Sequence, residues 1–463
     1  MTSHSLRVAP RVAAPLDPDF RPAYLAFGAA AEVCERGSAP LALTLERPGG
    51  RCSTYRVSLP DAPDAPAFAE RVLKFLLWQK GASTVLVSTP SAVADHLERL
   101  YAPGGARRFD ADFMTKVYER PFAIHRVDAA AIPADREDAS AVGRHLSGCR
   151  IGFDAGGSDR KVAAVVDGRE VFSCEVEWDP KNQSDPDYHF AGVDDSIRRA
   201  AAHLPRIDAI GISSAGIHLD NRTRVASLFR KVPDPLFERR IKTLYLDVAR
   251  QWGDVPVAVA NDGDVTALAG AMSLGDQPVL GLALGTSLAA GYVDQRGHLT
   301  TWLNELAFAP IDLAEGAAID EEWSGDRGTG VDYLSQSAVF RLAARAGIAL
   351  AASEGPAVRL ERMQELFARG DERARLVFES VGVYLGYAIA LFAQFYRLKH
   401  VLVLGRVMSG AAGARLFEKA GEVLRVEGLA TELELHLPDE ATRRVGQAIA
   451  AASLPEAPAR GPS

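Results

Sequence analysis

Small, acidic and amide residues follow several short apolar runs of this sequence, at positions where strands would end. Asp154 stands before the glycines of DAGGS, and NDGD places Asn261, Asp262 and Asp264 after another apolar run. Backbone N–H groups that converge in a glycine-rich turn bind anions. A carboxylate beside them can orient a hard cation or accept a proton. These residue types favour phosphate chemistry, although a single glycine turn is more often an ordinary hairpin.

Two further strand-end turns carry small and polar residues. They contain Gly285, Thr286, Ser287, Gly405, Arg406 and Ser409. In the DAGGS turn, the adjacent Gly156 and Gly157 predict positive φ angles, because glycine adopts such angles at little cost. Asp159 and Lys161 follow on the second strand of this hairpin. Alternation along a strand puts their side chains on one face, so that either both line the site or both face away from it.

Length and composition are those of a globular protein. The chain has 463 residues, of which 48% are hydrophobic and 24% are charged, and its formal net charge is -8. The length favours two or three domains, and the acidic balance argues against binding to nucleic acid. Four cysteines without a CxxC pair indicate neither a disulfide framework nor a zinc ribbon. We therefore expect a reducing, cytoplasmic location.

The order of apolar segments predicts an α/β protein of two parts. Residues 1–147 contain a hairpin signal at 40–60, a helix that ends at Gly81 and a buried strand, which together predict a small α/β domain. After this domain, short strands alternate with helical stretches, which indicates sheets covered by helices.

Two long helical stretches are expected, at residues 235–252 and 374–396. The second begins the most apolar region, which runs through LGYAIALFAQFYRLKHVLVLG. Its charged residues Arg397, Lys399 and His400 divide it into a buried helix followed by a buried strand. We therefore expect no membrane-spanning segment.

The order of five motifs, DAGGS, ISSAG, NDGDVTALA, LGTSLAAG and VLGRVMSG, resembles the ROK family of sugar kinases and repressors. This family is part of the superfamily that includes acetate kinase, actin and the heat-shock ATPases. The resemblance covers about residues 150–452. It implies two ribonuclease-H-like lobes around a nucleotide cleft, residues 148–268 and residues 269–463, to which this chain adds its small N-terminal α/β domain.

The resemblance also implies roles for single residues in a reaction that uses ATP and magnesium. Asp262 corresponds to the catalytic base, and Asp154 to a carboxylate near the magnesium ion, which it contacts directly or through water. The nucleotide-binding positions are Gly156, Gly157, Ser158, Lys161, Gly285, Thr286, Ser287, Gly405, Arg406 and Ser409. The acceptor-binding candidates are Asn261, Asp264, Glu305 and Asp332. The acceptor is expected to be a carbohydrate and the assembly a homodimer.

The acceptor motifs of the family are only partly present. Glu305 matches the Glu of the Glu-x-Gly-His sugar motif, but Ala307 and Phe308 replace its Gly-His pair. Later, Thr329 stands at the expected cysteine and Val331 at a sugar-binding Glu. Because thiolate and imidazole ligands are missing together, we predict that the structural zinc of the family is absent. Asp159 also occupies a position where the family commonly has lysine.

Alternatives to the catalytic interpretation remain at several positions. NDGD can be a turn that caps a helix beginning near Val265, since Asn and Asp are good caps. Arg406 can contact a phosphate or base, or else a helix end or surface carboxylate. His189 is expected on an exposed loop. Two functions follow: a sugar-kinase-like phosphotransferase, or a non-catalytic nucleotide- or sugar-binding regulatory protein. The N-terminal region lacks the pattern of a winged helix-turn-helix.

Overall fold

The computed structural model describes residues 6–33, 40–60, 63–137, 142–351, 353–438 and 440–457. The α-helices are α1 (Ala23–Val33), α2 (Ala65–Lys80), α3 (Ser91–Tyr101), α4 (Arg108–Tyr118), α5 (Pro186–Ala201), α6 (Asp234–Leu236), α7 (Leu244–Gln251), α8 (Asp262–Leu274), α9 (Gly330–Tyr333), α10 (Gln336–Arg345), α11 (Pro356–Ala368), α12 (Glu372–Ala393), α13 (Gly410–Val426) and α14 (Glu440–Ala452). The strands are β1 (Pro40–Arg47), β2 (Arg51–Ser58), β3 (Thr84–Ser88), β4 (Ala123–Arg126), β5 (Cys149–Ala155), β6 (Asp159–Val166), β7 (Arg169–Glu177), β8 (Ala209–Ser214), β9 (Ile217–Leu219), β10 (Arg222–Val225), β11 (Val257–Asn261), β12 (Val279–Leu284), β13 (Leu288–Val293), β14 (His400–Leu404) and β15 (Glu434–His436).

The N-terminal part contains a four-stranded sheet in the order β2-β1-β3-β4. β1 and β2 form the predicted antiparallel hairpin, while β3 pairs in parallel with β4. α2 packs with its apolar residues inward, and Phe75, Leu76 and Trp78 are all buried. The predicted hairpin, helix and buried strand of this region are therefore confirmed.

The second sheet has five strands in the order β11-β8-β5-β6-β7. β5, β8 and β11 run parallel, whereas β6 and β7 are antiparallel to their neighbours. α14 lies so close to this sheet that a Cβ on Gly152 would be 2.0 Å from the carbonyl oxygen of Ala448. The strands β5 and β8 are buried on both faces, and the carboxyl ends of the parallel strands meet at one sheet edge.

The third sheet has the order β13-β12-β14-β15. Nearby, α12 has a length and composition that would suffice to cross a membrane, but most of its apolar stretch is buried within the protein. α12 and the following β14 are the buried helix and strand predicted from the apolar region. A buried core helix accounts for this apolar composition.

The chain forms two compact units. The first comprises Met1–Asp138, Leu282–Ala290 and Trp302–Leu437, and the second comprises Ala139–Gly281, Gly291–Thr301 and Pro438–Ser463. The predicted boundaries at residues 147 and 268 stay predictions. The N-terminal sheet and α12 belong to the first unit, and the five-stranded sheet belongs to the second.

The helical stretch expected at 235–252 is present, but a π-helical turn at Phe237–Ile241 separates α6 from α7. The prediction for His189 was wrong. His189 lies on the buried face of α5 rather than on an exposed loop, and its ring meets Phe229 edge-on with centroids 4.9 Å apart. Burial lowers the pKa of His189. The amphipathic helix therefore uses this histidine as a neutral core residue.

Candidate functional site

The acidic part of the site lies where three parallel strands of the second unit end. Asp154 on β5 is opposite Ser213 on β8. Asn261, the last residue of β11, is opposite Ser214. α8 begins directly after it, at Asp262. Ligands of α/β proteins typically bind at such carboxyl ends, and we call the group formed by Asp154, Ser213, Asn261 and Asp262 the strand-end site.

The Asp154 carboxylate is buried, and it accepts a hydrogen bond from Ser213 Oγ at 2.6 Å. Burial is the main cause that raises the pKa of Asp154 to about 6. The bond from Ser213 opposes this shift, and the negative charge of Asp262 adds to it. The two carboxylates therefore lie close enough to repel each other, and a cation between them would relieve that repulsion.

Asp262 occupies the first position of α8 and is partly exposed to solvent. Its Oδ1 accepts a hydrogen bond from the amide of Gly263 at 3.0 Å. Burial raises the pKa of Asp262, while the bond from Gly263 and the charge of Lys181 lower it. A carboxylate whose pKa is raised toward neutrality is a better proton acceptor at physiological pH. Its placement suits a general base.

Helix capping explains Asn261, so the alternative interpretation holds for this residue. Its side-chain oxygen accepts from the amide of Gly263 at 2.7 Å, and its amide donates to the carbonyl of Gly216 at 2.8 Å. The helix it caps begins three residues before the predicted start at Val265. Both ends of the Asn261 side chain therefore hold the backbone that positions Asp262.

The first glycine turn joins β5 to β6, but the predicted positive φ angles are wrong. Neither Gly156 nor Gly157 adopts the left-handed region. A Cβ on Gly156 would lie 2.6 Å from the carbonyl oxygen of Asp159, so the tightness of the turn requires glycine there. Trp178 fixes the turn: its Nε1 donates to the Gly156 carbonyl at 2.8 Å, and its amide donates to the Ser158 carbonyl at 3.1 Å.

Asp159 and Lys161 are an ion pair, with Lys161 Nζ 3.0 Å from Asp159 Oδ1. Lys161 lies opposite Asp154 in the antiparallel pairing of β5 and β6, so the two side chains share a sheet face. Of the two arrangements left open by the sequence, the structure has the one in which both residues lie on the face of Asp154. Ser158 Oγ donates to Asp159 at 3.0 Å and is otherwise exposed.

Lys181 is a candidate residue that the sequence did not reveal. It lies in a short 3₁₀ turn after β7, and its Nζ is 2.7 Å from the place where a Cβ on Gly157 would be. Its positive charge also lowers the pKa of Asp262. A lone lysine in the polar stretch DPKNQ carries no sequence signal, because only the course of the loop after Trp178 brings it to the hairpin.

The second glycine turn, Gly285 to Ser287, connects β12 with β13 in the first unit. The Gly285 amide donates to the Ser287 carbonyl at 2.9 Å, and the Gly285 carbonyl accepts from the amide of Gln336 at 2.9 Å. Gln336 is the first residue of α10, and Thr286 and Ser287 are exposed. The turn thus lies at a helix N-terminus, where the helix dipole favours anions.

Gly405 follows β14 and is required by its surroundings. Its φ is 104°, and a Cβ would lie 2.3 Å from the carbonyl oxygen of Leu284, the residue before the second glycine turn. Arg406 is exposed, and its carbonyl accepts from Gln364 Nε2 at 2.8 Å. Ser409 is the exposed N-cap residue of α13 without a side-chain capping bond. Of these three nucleotide candidates, Gly405 therefore borders the turn at Gly285.

The acceptor candidates differ in what surrounds them. Asp264 is buried and accepts a hydrogen bond from the Tyr292 amide at 3.2 Å, which is a structural contact. Asp332 is partly exposed on α9, and burial, followed by the charge of Asp320, raises its pKa to about 6. Glu305 is partly exposed too. Of the four acceptor candidates, Glu305 and Asp332 are the two that are partly exposed carboxylates in the first unit.

Residues that replace the sugar motif of the family are packed into apolar surroundings. The Phe308 ring centroid lies 4.3 Å from that of Trp78 and 5.5 Å from that of Phe109. Phe113 completes this aromatic cluster, which consists of Trp78, Phe109, Phe113 and Phe308. The backbone amide of Glu305 donates to the carbonyl of Trp78 at 2.9 Å. The N-terminal region thus packs directly on the segment where the sugar motif departs from the family.

No family model and no curated protein matches the chain. Solved structures do. A ROK hexokinase from Thermus thermophilus is 19% identical, with a TM-score of 0.51 over 66% of this chain and 97% of that one. A ROK family transcriptional regulator, a homologue of the E. coli MLC protein, is 19% identical, with a TM-score of 0.50 over 66% of this chain and 79% of that one.

One of these structures is an enzyme and the other a regulator, so the shared fold accommodates both kinds of protein. The predicted α/β fold class is confirmed, and the five-stranded sheet with its acidic strand ends belongs to it. The chain therefore has the fold of the ROK family, as the order of its five motifs indicated.

Proposed function

We propose that the protein is a ROK-type phosphotransferase that uses ATP and magnesium to phosphorylate a hydroxyl group of a sugar or sugar-like acceptor. One observation carries the proposal. Asp154 and Asp262 come from distant parts of the sequence and meet where the parallel strands of one sheet end, next to a glycine hairpin. The fold shared with a hexokinase supports the same conclusion.

Magnesium fits the donor set of the strand-end site. Mg²⁺ binds oxygen ligands and is typically held by one or two carboxylates, substrate phosphates and water. Asp154 offers a buried carboxylate, held in place by Ser213, whose pKa of about 6 leaves it ionised at neutral pH. Bound magnesium would neutralise negative charge on the triphosphate. Asp154 would hold the ion directly or through water.

Asp262 would act on the acceptor. Its carboxylate accepts the proton of the attacking hydroxyl while the hydroxyl oxygen bonds to the γ-phosphorus and the bond to the ADP oxygen breaks. Asn261 contributes by capping α8, since its two hydrogen bonds to Gly263 and Gly216 fix the start of the helix. The role of Asn261 is therefore positioning rather than contact with substrate.

Two turns would bind the phosphates. The backbone of Gly156, Gly157 and Ser158 offers N–H groups next to two cations, Lys161 and Lys181. Lys181 supplies positive charge at the hairpin in which Asp159 has replaced the usual lysine. The second phosphate turn is formed by Gly285, Thr286 and Ser287, and the nucleoside would contact Gly405, Arg406 and Ser409.

The acceptor would bind through Glu305 and Asp332, the two acceptor candidates of the first unit, which are both partly exposed. Carboxylates accept hydrogen bonds from sugar hydroxyls. Because Phe308 is buried in the aromatic cluster, it leaves the acceptor fewer polar partners than the histidine of the family motif would. We therefore propose an acceptor with fewer or differently placed hydroxyl groups. The homodimer and the cytoplasmic location remain predictions.

A regulatory protein is the second candidate. It would keep the nucleotide fold, bind nucleotide or sugar, and transfer no phosphoryl group. The observation that favours it is the burial of Ala307 and Phe308 where the family has its Gly-His pair. The two candidates differ in one measurable property, which is turnover.

An ADP-release assay across a panel of sugars, with magnesium and ATP, tests the proposal. We expect turnover with at least one acceptor, and Asp262→Asn should lower kcat by about 10²- to 10⁴-fold because the proton acceptor is lost. Asp112→Asn is the matched control, since it removes an exposed carboxylate of α4. Binding of ATP without turnover on any acceptor would instead support the regulatory candidate.

A further inference from the structure

Two histidines and a glutamate lie together on the third sheet, and none of them belongs to the strand-end site or to the acceptor candidates. β14 and β15 pair in parallel, with His400 opposite Glu434 and Leu402 opposite His436. Glu434 and His436 are two positions apart, so they lie on one face of the strand, and His400 shares that face through the pairing. Imidazole and carboxylate groups are thereby gathered at one place by the sheet itself.

The ligand atoms of these residues are spaced as around one metal ion. His400 Nδ1 lies 3.0 Å from His436 Nε2 and 3.5 Å from Glu434 Oε2, and the distance from His436 Nε2 to Glu434 Oε2 is 3.9 Å. A tetrahedral ion with bonds of about 2.0–2.1 Å keeps its ligands about 3.4 Å apart. The three observed distances surround this value, so small side-chain movements would complete the coordination.

We propose that His400, Glu434 and His436 bind a divalent transition-metal ion of the zinc class. Two imidazoles with one carboxylate suit zinc, whereas magnesium and calcium prefer oxygen ligands. His400 is buried, while Glu434 is largely exposed. The exposed side leaves room for water as a fourth ligand. This site is separate from the cysteine and histidine motif whose absence was predicted above.

The site has a structural consequence. Among the described strands, β15 lies at the end of its sheet and pairs with β14 alone. A bound ion would cross-link these two strands through side chains, in addition to their backbone hydrogen bonds. Because β14 leads directly to Gly405 and Arg406, the ion would also hold the strand that carries the nucleotide candidates. The expected role is stabilisation of this edge, and it does not depend on the proposed phosphotransferase activity.

The main alternative is a simple hydrogen bond between the two imidazoles, since 3.0 Å is also a hydrogen-bond distance. Titration of the metal-free full chain with Zn²⁺ alone, without nucleotide, separates the two. We expect one binding site per chain and a higher unfolding temperature with zinc. His436→Ala changes a partly exposed side chain and Glu434→Gln an exposed one, so the fold should tolerate both. Each substitution should weaken zinc binding at least about tenfold.

His125→Ala is the matched control, because it removes an exposed histidine of β4. Its zinc affinity should equal that of the unchanged chain. As a second readout, Co²⁺ in place of zinc should give visible absorption bands of a four-coordinate ion, and His436→Ala should abolish them. Zinc binding that stays unchanged in His436→Ala would overturn the proposal. So would zinc binding by the unchanged chain that is no tighter than that of a variant without all three ligand side chains.

Discussion

The strand-end site of the second unit and the aromatic cluster of the first unit differ in how well their residues match the motifs that the sequence resembles. At the strand-end site, the two motif residues Asp154 and Asp262 lie on β5 and at the start of α8. In the cluster, Phe308 stands where the resemblance implies histidine, and it is buried against Trp78. Under the proposed function, the residues assigned to phosphate chemistry thus match the motifs of the family, while part of the acceptor motif is replaced by packed apolar side chains.

A physical difference accounts for this contrast. The carboxylates of the strand-end site are set by strand register and a helix cap, which the core of the sheet determines. The segments around Phe308 and Thr329 are loops that connect helices and strands. Their side chains can differ between proteins of one fold when the neighbouring packed residues differ too. Here the N-terminal region packs on Phe308 through α2, so an apolar side chain is favoured at that position.

The largest effect is expected on the cluster. Phe308→Ala should destabilise the protein by about 3–5 kcal/mol, because it leaves a cavity among three other aromatic rings. Chemical denaturation measures this loss, and Phe308→Leu should lose less. ATP affinity of the folded protein should stay unchanged. An unchanged unfolding midpoint together with altered acceptor binding would place Phe308 in the acceptor site and break the comparison.

A smaller effect is expected at Asp154. Its pKa in the folded state is about 6, above the value of about 3.9 for an unfolded chain. Its contribution to stability is therefore complete below about pH 4 and is lost as pH rises through 6. Asp154→Asn removes this pH-dependent loss of stability, so the variant should be more stable than the unchanged protein at pH 7 by on the order of 3 kcal/mol, although inactive.

Urea unfolding at pH 5 and pH 7.5 checks this expectation. The unchanged protein should lose more stability between these pH values than Asp154→Asn does, whereas Asp112→Asn should follow the unchanged protein. Turnover should fall below about pH 6, since a protonated carboxyl group is a poor magnesium ligand. If Asp154→Asn and the unchanged protein showed the same pH dependence of stability, the Asp154 carboxylate would not be the destabilised, buried group that the strand-end site requires.

The smallest effect is expected at Lys181. Lys181→Met keeps the length of the side chain but removes the charge at Gly157, so KM for ATP should rise about tenfold. Lys231→Met, at an exposed lysine, is the control. A change in kcat with KM unchanged would mean that Lys181 acts on Asp262 rather than on the phosphates.

Several features were predictable because they depend on local pattern. The hairpin at 40–60, the buried helix before β14 and the acidic residues at strand ends all follow from periodicity or motif order. The sequence did not predict the φ angles of Gly156 and Gly157 or the burial of His189. A turn can require glycine because a Cβ would not fit or because the backbone needs a positive φ angle. The sequence alone does not distinguish these two reasons.

The order of the five motifs in the sequence by itself indicated the ROK fold, and it selected Asp154 and Asp262 as candidate site residues. Only the tertiary structure decided that Lys181 reaches the first hairpin, that Phe308 joins an aromatic cluster, and that His400 meets His436. Motifs act through residues that are neighbours in the chain. These other contacts join residues far apart in the chain, so they depend on strand register and packing.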